Sequence, residues 1–292
     1  MPSATEPTVP TRTLVLGMAH EDGVINGAEL YPVAEACRLS PEQVRSCLRR
    51  LISEGLLERE GRGATATYRS TPAGLAALRL TMARTRLAYR HDAAGKGWDR
   101  QWRLVAFAMP EDMRTARDAF REVLRDLGGA PIQNGLYVSA LDWHALVRNA
   151  AQRIGVSDYV TLASTDDLHV GGQSDPRLLA RRLWPVDQIA AGYEAFIARF
   201  STTVDDLTAI RQRRERLSDA RFLPGAFAMA TALNEAFDDD PLLPPELLPR
   251  PWPGRLARDL VIRSRRLAVS LLESHQRPTL FRLFDEATGD VS

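Results

Sequence analysis

Two cysteines, Cys37 and Cys47, are all that this chain of 292 residues carries. Two thiols are too few for a disulfide framework or a four-ligand zinc site, so a reducing compartment, most simply the cytoplasm, is expected. Small buried hydrophobes is the reading for both, in place of redox or metal chemistry. Excess charge is missing as well. Thirty-eight basic residues against 37 acidic ones leave a formal charge of +1, which excludes a uniformly cationic chain and confines any nucleic-acid contact to a local patch. Lys96 is the only lysine. The positive charge is therefore nearly all guanidinium, a compositional bias that also supplies planar forks suited to phosphate and guanine. No stretch reaches the ~18 consecutive apolar residues of a membrane span, and the opening MPSATEPTVPTRT lacks the basic and apolar regions of an export signal. A soluble, unexported protein with no membrane partner is expected.

Catalytic signatures are also lacking. The chain has no GxSxG, P-loop or dinucleotide fingerprint, and the histidines at 20, 91, 144, 169 and 275 share no HExxH or HxH spacing. Asp238, Asp239 and Asp240 read as a solvated helix end, because three adjacent carboxylates diverge. The expectation is no enzyme: no catalytic residue, no metal and no cofactor.

What is present is enough apolar material, 45% of the residues, for two or three folded units. Residues 1–10 read as a loose tail. Residues 11–95 suggest three helices, two short strands and a further helix, ended by the hydrophilic HDAAGKG. Residues 96–175 alternate: the strand WRLVAFAMP, apolar on both faces, a helix over 111–127, LYVSA, a helix over 142–153, then YVTLAS and LHVGG. A small ferredoxin-like sandwich fits that order. Residues 176–292 read as a mostly helical domain broken by proline, with helices over 186–200, 203–217, 225–237 and 254–274. The prolines of DDDPLLPPELLPRPWPG forbid a continuous helix there, while its leucines and Trp252 favour an ordered segment over a free linker. The fold class expected is α+β.

The most informative stretch is ELYPVAEACRLSPEQVRSCLRRLISEGLLEREGRGATATYRSTPAG. Ser40 is placed to cap a helix, Pro41 suits its first position and Gln43 completes a capping box. Val44, Leu48, Leu51 and Ile52 recur at helical spacing and predict a core-facing stripe. Glu42, Ser46, Arg49, Arg50 and Ser53 then point outward, with Gln43 and Arg45 on the flanks. A short helix precedes it after a brief turn, and LLERE and ATYRS can pair around GRGAT, whose tip holds Arg62 beside Thr65. The pattern predicts a winged helix-turn-helix, in which arginine reads guanine and Gln reads adenine in the major groove. The hairpin arginine would meet phosphate or the minor groove. Two other readings of the same face stay open: a solvated helix face, and a surface that docks a protein partner. Nearby Glu35, Glu42, Glu54, Glu58 and Glu60 dilute the patch and favour a dimer reading two half-sites of double-stranded operator DNA.

VRSCLRRLISEGLL with YRSTPAG, then WRLVAFAMPEDMRTARDAFREVLRDLGGAPIQNGLYVS, then DDPLLPPELLPRPWPGRLARDL stand in an order that resembles the PaaX family, the phenylacetic acid degradation repressors of bacteria. The resemblance runs from about Thr11 to Phe284. It implies a homodimeric transcriptional repressor released from DNA by an aryl-coenzyme A thioester, phenylacetyl-CoA in the namesake. The middle unit is similar to the ferredoxin-like fold of a CRISPR-associated nuclease that carries an acidic metal ligand at the end of its first strand. Here that strand ends in Phe107, Ala108, Met109 and Pro110, with no aspartate, which implies a non-catalytic dimerisation or coupling module; a metal-dependent nuclease is the alternative reading.

An aryl thioester needs an apolar slot and cations for its phosphates. Trp184, Tyr193 and Phe196, close to Arg181 and Arg182, are candidates, as is the basic run Arg211, Arg213, Arg214 and Arg216, read as lying on one helix. The bland alternatives are helix packing for the aromatics and a solvated face for the arginines.

Overall fold

The computed structural model describes residues 11–273 and 278–289; the expected tail and His275 lie outside the described residues. In chain order the first half contains α1 (Thr11–Gly17), β1 (Val24–Asn26), α2 (Gly27–Ala36), α3 (Pro41–Ser53), β2 (Leu57–Glu60), β3 (Thr67–Ser70), α4 (Pro72–Ala94), β4 (Trp102–Phe107), α5 (Arg114–Asp126), β5 (Ala130–Gln133) and β6 (Leu136–Ser139). There follow α6 (His144–Ile154), β7 (Val160–Thr165), α7 (Pro176–Leu183), α8 (Val186–Phe200), α9 (Thr203–Gln212), α10 (Asp219–Phe237), α11 (Pro253–Ser270) and α12 (Arg282–Gly289). No described helix is long and apolar enough to cross a membrane.

The chain divides into two compact units that do not follow three consecutive segments. One comprises the described residues of Met1–Tyr89, Tyr193–Ala236 and Gly254–Ser292; the other comprises Arg90–Gly192 and Phe237–Pro253. The stretch read as a separate helical domain is thus distributed over both.

In the first unit a three-stranded antiparallel sheet has the order β1-β3-β2. Tyr68 is its hub, pairing with Ile25 on one side and Arg59 on the other. Strand β1 was not expected, because three residues are too few to show an alternation. Val44, Leu48 and Leu51 of α3 are buried as the periodicity predicts, and Ile52 packs against the same core. Burying each is worth about 1.5–3 kcal/mol. That core also takes Ile210, Phe222, Phe227, Leu271 and Leu280, so the last helices complete the hydrophobic interior begun by α1–α3.

Three boundaries of the later helices differ from the sequence reading. Helix α9 stops at Gln212, five residues short of the expected end, and Arg214 beyond it adopts the left-handed region with φ 57°. The basic run Arg211 to Arg216 therefore does not lie on one helix. Helix α10 begins at Asp219, ahead of Pro224, which sits inside it. Proline removes one ladder bond, and burial of Phe222, Leu223 and Phe227 outweighs that loss. Helix α11 ends at Ser270, before the expected Ser274, which is outside the described residues.

In the second unit β4, α5, β5, β6, α6 and β7 form a βαββαβ run, with an antiparallel sheet in the order β5-β6-β4-β7. This is the ferredoxin-like arrangement expected from the sequence. Central strand β4 buries both faces: Val105 and Phe107 join Phe120, Leu124, Trp143 and Val147 under α5 and α6. Trp102 faces the opposite core with Val138, Leu179 and Trp184. The expected strand LHVGG is corrected. That stretch makes only an isolated bridge, Val170 to Gln173, around Gly171 and Gly172, whose φ values of 57° and 79° turn the chain. The fourth strand is instead β5, which pairs with β6 alone; at an edge, the missing N–H of Pro131 costs no ladder bond.

The proline-rich stretch is ordered and folds into this unit. Leu243, Leu247 and Leu248 pack with Trp102, Leu179 and Trp184. The Glu246 carboxylate accepts hydrogen bonds from the backbone N–H of Gly97 at 3.1 Å and of Trp98 at 3.3 Å, and its carbonyl accepts one from Arg177 Nε at 2.9 Å. Asp240, read as solvated, is buried and accepts from the N–H of Leu242 at 2.8 Å. Asp238 and Asp239 are exposed.

Candidate nucleic-acid interface

The exposed face of α3 is held in place at its N-terminus. Ser40 Oγ accepts from the N–H of Gln43 at 3.2 Å, and Gln43 Oε1 accepts from the N–H of Ser40 at 2.7 Å, which closes the predicted capping box. The turn from α2 is equally determined. Arg38 sits at φ 60°, its N–H bonds to the carbonyl of Glu35, and the N–H of Leu39 reaches back to the carbonyl of Ala34. These two bonds form a Schellman ending, in which the left-handed residue is usually glycine. Leu39 is buried and anchors the turn.

Glu42, Gln43, Arg45, Ser46, Arg49, Arg50 and Ser53 are all exposed, opposite the buried stripe. They are not equally available. Gln43 is occupied by the cap, Arg45 is paired with Glu42, and Ser53 Oγ donates to the carbonyl of Arg50 at 2.8 Å. Arg49 and Arg50 enter no ion pair among the described residues, which leaves two uncommitted guanidiniums on the same turn of helix.

Arg62 and Thr65 lie exposed in the connection between β2 and β3. Gly61 and Gly63, at φ 84° and 73°, flank the extended Arg62 and make the reversal possible. This loop rests on the start of α2: Gly27 donates its N–H to the carbonyl of Ala66 at 3.0 Å. A Cβ on Gly27 would come within 2.6 Å of the carbonyl oxygens of Ala64 and Ala66. Arg69, on the neighbouring strand, is paired with Glu60 at 3.3 Å. Sequence reasoning overlooked two exposed cations in this region, Arg38 and Arg59. The place of Arg38 between a helix end and the Ser40-Pro41 start was the available signal for the first; Arg59 had none, because strand alternation puts it on the face of buried Leu57, and the burial pattern of β2 breaks that alternation.

The two cysteines are thiols by environment. Burial pushes Cys37 up to about 11 and also raises half-buried Cys47, against the lowering influence of Arg12 and Arg50. Neither is poised as a thiolate at neutral pH.

The residues expected to hold an effector each have partners within their own unit. Trp184 is buried in the second unit, stacked on Trp102 at 6.4 Å, with its indole N–H donated to the carbonyl of Gly128 at 2.9 Å. Arg181 is engaged by Asp187 at 2.8 Å, and the guanidinium of Arg182 lies against Gly171. Tyr193 belongs to the first unit, where it is buried and its hydroxyl accepts from Arg258 at 3.3 Å. In the basic run, Arg213 pairs with Glu215 at 2.8 Å and Arg216 donates to the carbonyl of Ser270 at 3.3 Å.

The family model described as the PaaX protein central Cas2-like domain matches residues 95–179, and that of the PaaX-like protein C-terminal domain matches residues 184–276. The chain is similar to the transcriptional repressor PaaX of Escherichia coli strain K12, with 27% identity over 245 residues, 84% of this chain and 74% of that protein. Among solved structures, an uncharacterized protein from Mycobacterium tuberculosis aligns with a TM-score of 0.49 and 21% identity over 84% of this chain and 91% of its own.

Proposed function

The chain belongs to the PaaX family, and from that premise we propose that it is a cytoplasmic transcription regulator, a dimeric repressor that binds operator DNA and is released by an acyl-CoA-like effector. The observation that carries the DNA-binding part is the pair Arg49 and Arg50, exposed and without ion-pair partners on a capped helix whose opposite face is core. Helices α2 and α3 with the β2–β3 hairpin are read as a winged helix-turn-helix, α3 entering the major groove. Arg49 and Arg50 suit guanine, whose O6 and N7 accept a bidentate fork. Arg62 on the hairpin suits phosphate or a narrow minor groove. Ion pairs such as Arg45 with Glu42 and Arg69 with Glu60 trim the net charge of this surface. Modest affinity per domain follows, and with it the use of two half-sites about 34 Å apart by a dimer.

The ferredoxin-like part is read as the coupling module between subunits. Strand β4 ends at Phe107 and runs into Ala108, Met109 and Pro110 without a carboxylate, which favours a non-enzymatic role. Release is a population shift: effector prefers a dimer geometry in which the two α3 helices no longer match the half-site spacing.

The test is fluorescence anisotropy of the purified protein against its own upstream region and a scrambled duplex at fixed salt, with and without phenylacetyl-CoA. Specific binding abolished by the thioester is the expected result. Specific binding indifferent to it removes the ligand assignment, and equal binding to both duplexes removes the repressor reading in favour of a protein-docking winged helix.

A further inference from the structure

We propose that the cleft walled by α4, α11 and α12 binds a small amphipathic anion, a phosphate or carboxylate that carries a ring or an acyl chain. The cleft lies within the first unit, open to solvent, with a volume of about 940 Å³, the size of a small-molecule site. Its floor is apolar: Leu78 and Met82 of α4, Val269 of α11 and Leu283 of α12 are half-buried there. Above them stand Arg79 and Arg86 from α4 and Arg266 from α11, all exposed. Residues 78, 79, 82 and 86 fall on one helical face, so α4 alone delivers both chemistries to the same wall.

The charge balance favours an anion. Many surface arginines of this chain lean on a carboxylate, as Arg12 does on Glu54 and Arg263 on Asp259. Arg79, Arg86 and Arg266 enter no ion pair among the described residues. Of the carboxylates lining the cleft, Asp285 is bound by Arg265 and Glu286 has an interaction of its own. That leaves exposed Glu21 in the lining against three guanidiniums, whose planar forks fit phosphate or carboxylate oxygens.

The same cleft offers a route to α2. Helix α12 carries Leu283 into the cleft and, one residue earlier, presents Arg282 to Glu29 and His20. An occupant that shifts α12 thereby loads the helix that precedes α3. That consequence rests on the regulator reading above; the binding itself does not.

The full-length protein is titrated, without DNA, with 8-anilinonaphthalene-1-sulfonate, a fluorescent aromatic sulfonate with the required two-part chemistry. Saturable binding is expected, weakened about tenfold or more when Arg79→Glu and Arg266→Glu are combined, and retained when both are changed to Lys. Both positions are exposed, so the far-ultraviolet circular dichroism of the variants should match wild type. Equal dye affinity in wild type and the charge-reversed variant, or no saturable binding at all, overturns the proposal. So does a charge-reversed variant that loses a dimer in sedimentation while its dye affinity holds, which would give the cleft to a second copy of the chain. Failure of operator binding overturns the regulator reading alone, because the titration contains no DNA.

Discussion

Arg282 donates from Nη2 to Glu29 Oε2 at 2.7 Å, joining residues 253 apart in sequence. Its Nη1 lies 2.8 Å from the ring of His20, and the N–H of the preceding Phe281 bonds to the carbonyl of Gly17 at 2.7 Å. Together these contacts fasten α12 to α1 and α2 within one unit. The clasp is electrostatic, and it therefore titrates.

Burial raises the Glu29 carboxyl, but the hydrogen bond and charge of Arg282, with His20, outweigh it and hold the group below its ordinary 4.5. A depressed carboxylate contributes stability above its unfolded value and loses that contribution as pH falls through the folded one. Glu29→Gln should lower stability by roughly 0.5–1 kcal/mol near neutral pH, a magnitude limited by partial exposure. Urea unfolding of both proteins at neutral and acidic pH checks this: the gap should close as pH drops through the carboxylate range, and a gap independent of pH would remove the ion pair as its cause.

Arg49→Ala and Arg50→Ala should each weaken operator binding by about 1–3 kcal/mol if the side chain reads a base, and should relax sequence preference at one position. Arg62→Ala should weaken binding to all sequences alike and reduce the salt slope by about one. Anisotropy over a salt series separates these behaviours. An Arg49→Ala protein with the wild-type curve would take that residue out of the interface.

Gly27→Ala tests how the hairpin is seated. The new Cβ would stand 2.5 Å from the carbonyl oxygen of Ala64 and 2.6 Å from that of Ala66, and backbone cannot swing aside as a flexible side chain can. A loss of about 1–3 kcal/mol is expected from overpacking, with amide exchange accelerated over residues 61–66. Wild-type stability would mean that the loop does not rest on α2.

Trp184→Ala should be among the most damaging changes in the second unit, costing about 3–5 kcal/mol. The ring stacks on Trp102 and its N–H caps the carbonyl of Gly128. Trp184→Phe keeps an aromatic ring and loses the hydrogen bond, for about 1 kcal/mol. Thermal denaturation distinguishes the two; an unaltered midpoint in Trp184→Ala would return this residue to the candidates for ligand contact.

The parts of the fold that were legible in the sequence are those with a local signal of sufficient length. The Ser40–Gln43 capping box and the Val44, Leu48, Leu51 stripe each lie within one or two helical turns, and the structure holds both. Strand β4 and helix α5 were readable for the same reason. In the candidate site, the outward position of Arg49 and Arg50 followed from helical geometry, but their freedom from ion pairs did not, because Arg12 reaches Glu54 across 42 residues. Arg38 was overlooked although it stands just before the Ser40-Pro41 helix start; what no side-chain pattern announces is its left-handed backbone, a place usually taken by glycine.

What the sequence by itself determined is the α+β class, the capped helix with its cationic face, the ferredoxin-like reading of the middle segment and the resemblance to the PaaX family. Tertiary structure alone decided the rest. It placed Leu243, Leu247 and Leu248 in the core beside Trp184, brought Phe222 and Leu280 into the core of α1–α3, and set Arg79 beside Arg266 in one cleft. The physical reason is that burial is indifferent to separation along the chain: an apolar side chain gains the same free energy from any partner that excludes water. Local periodicity says that such a side chain must be covered, and only the assembled fold says by what.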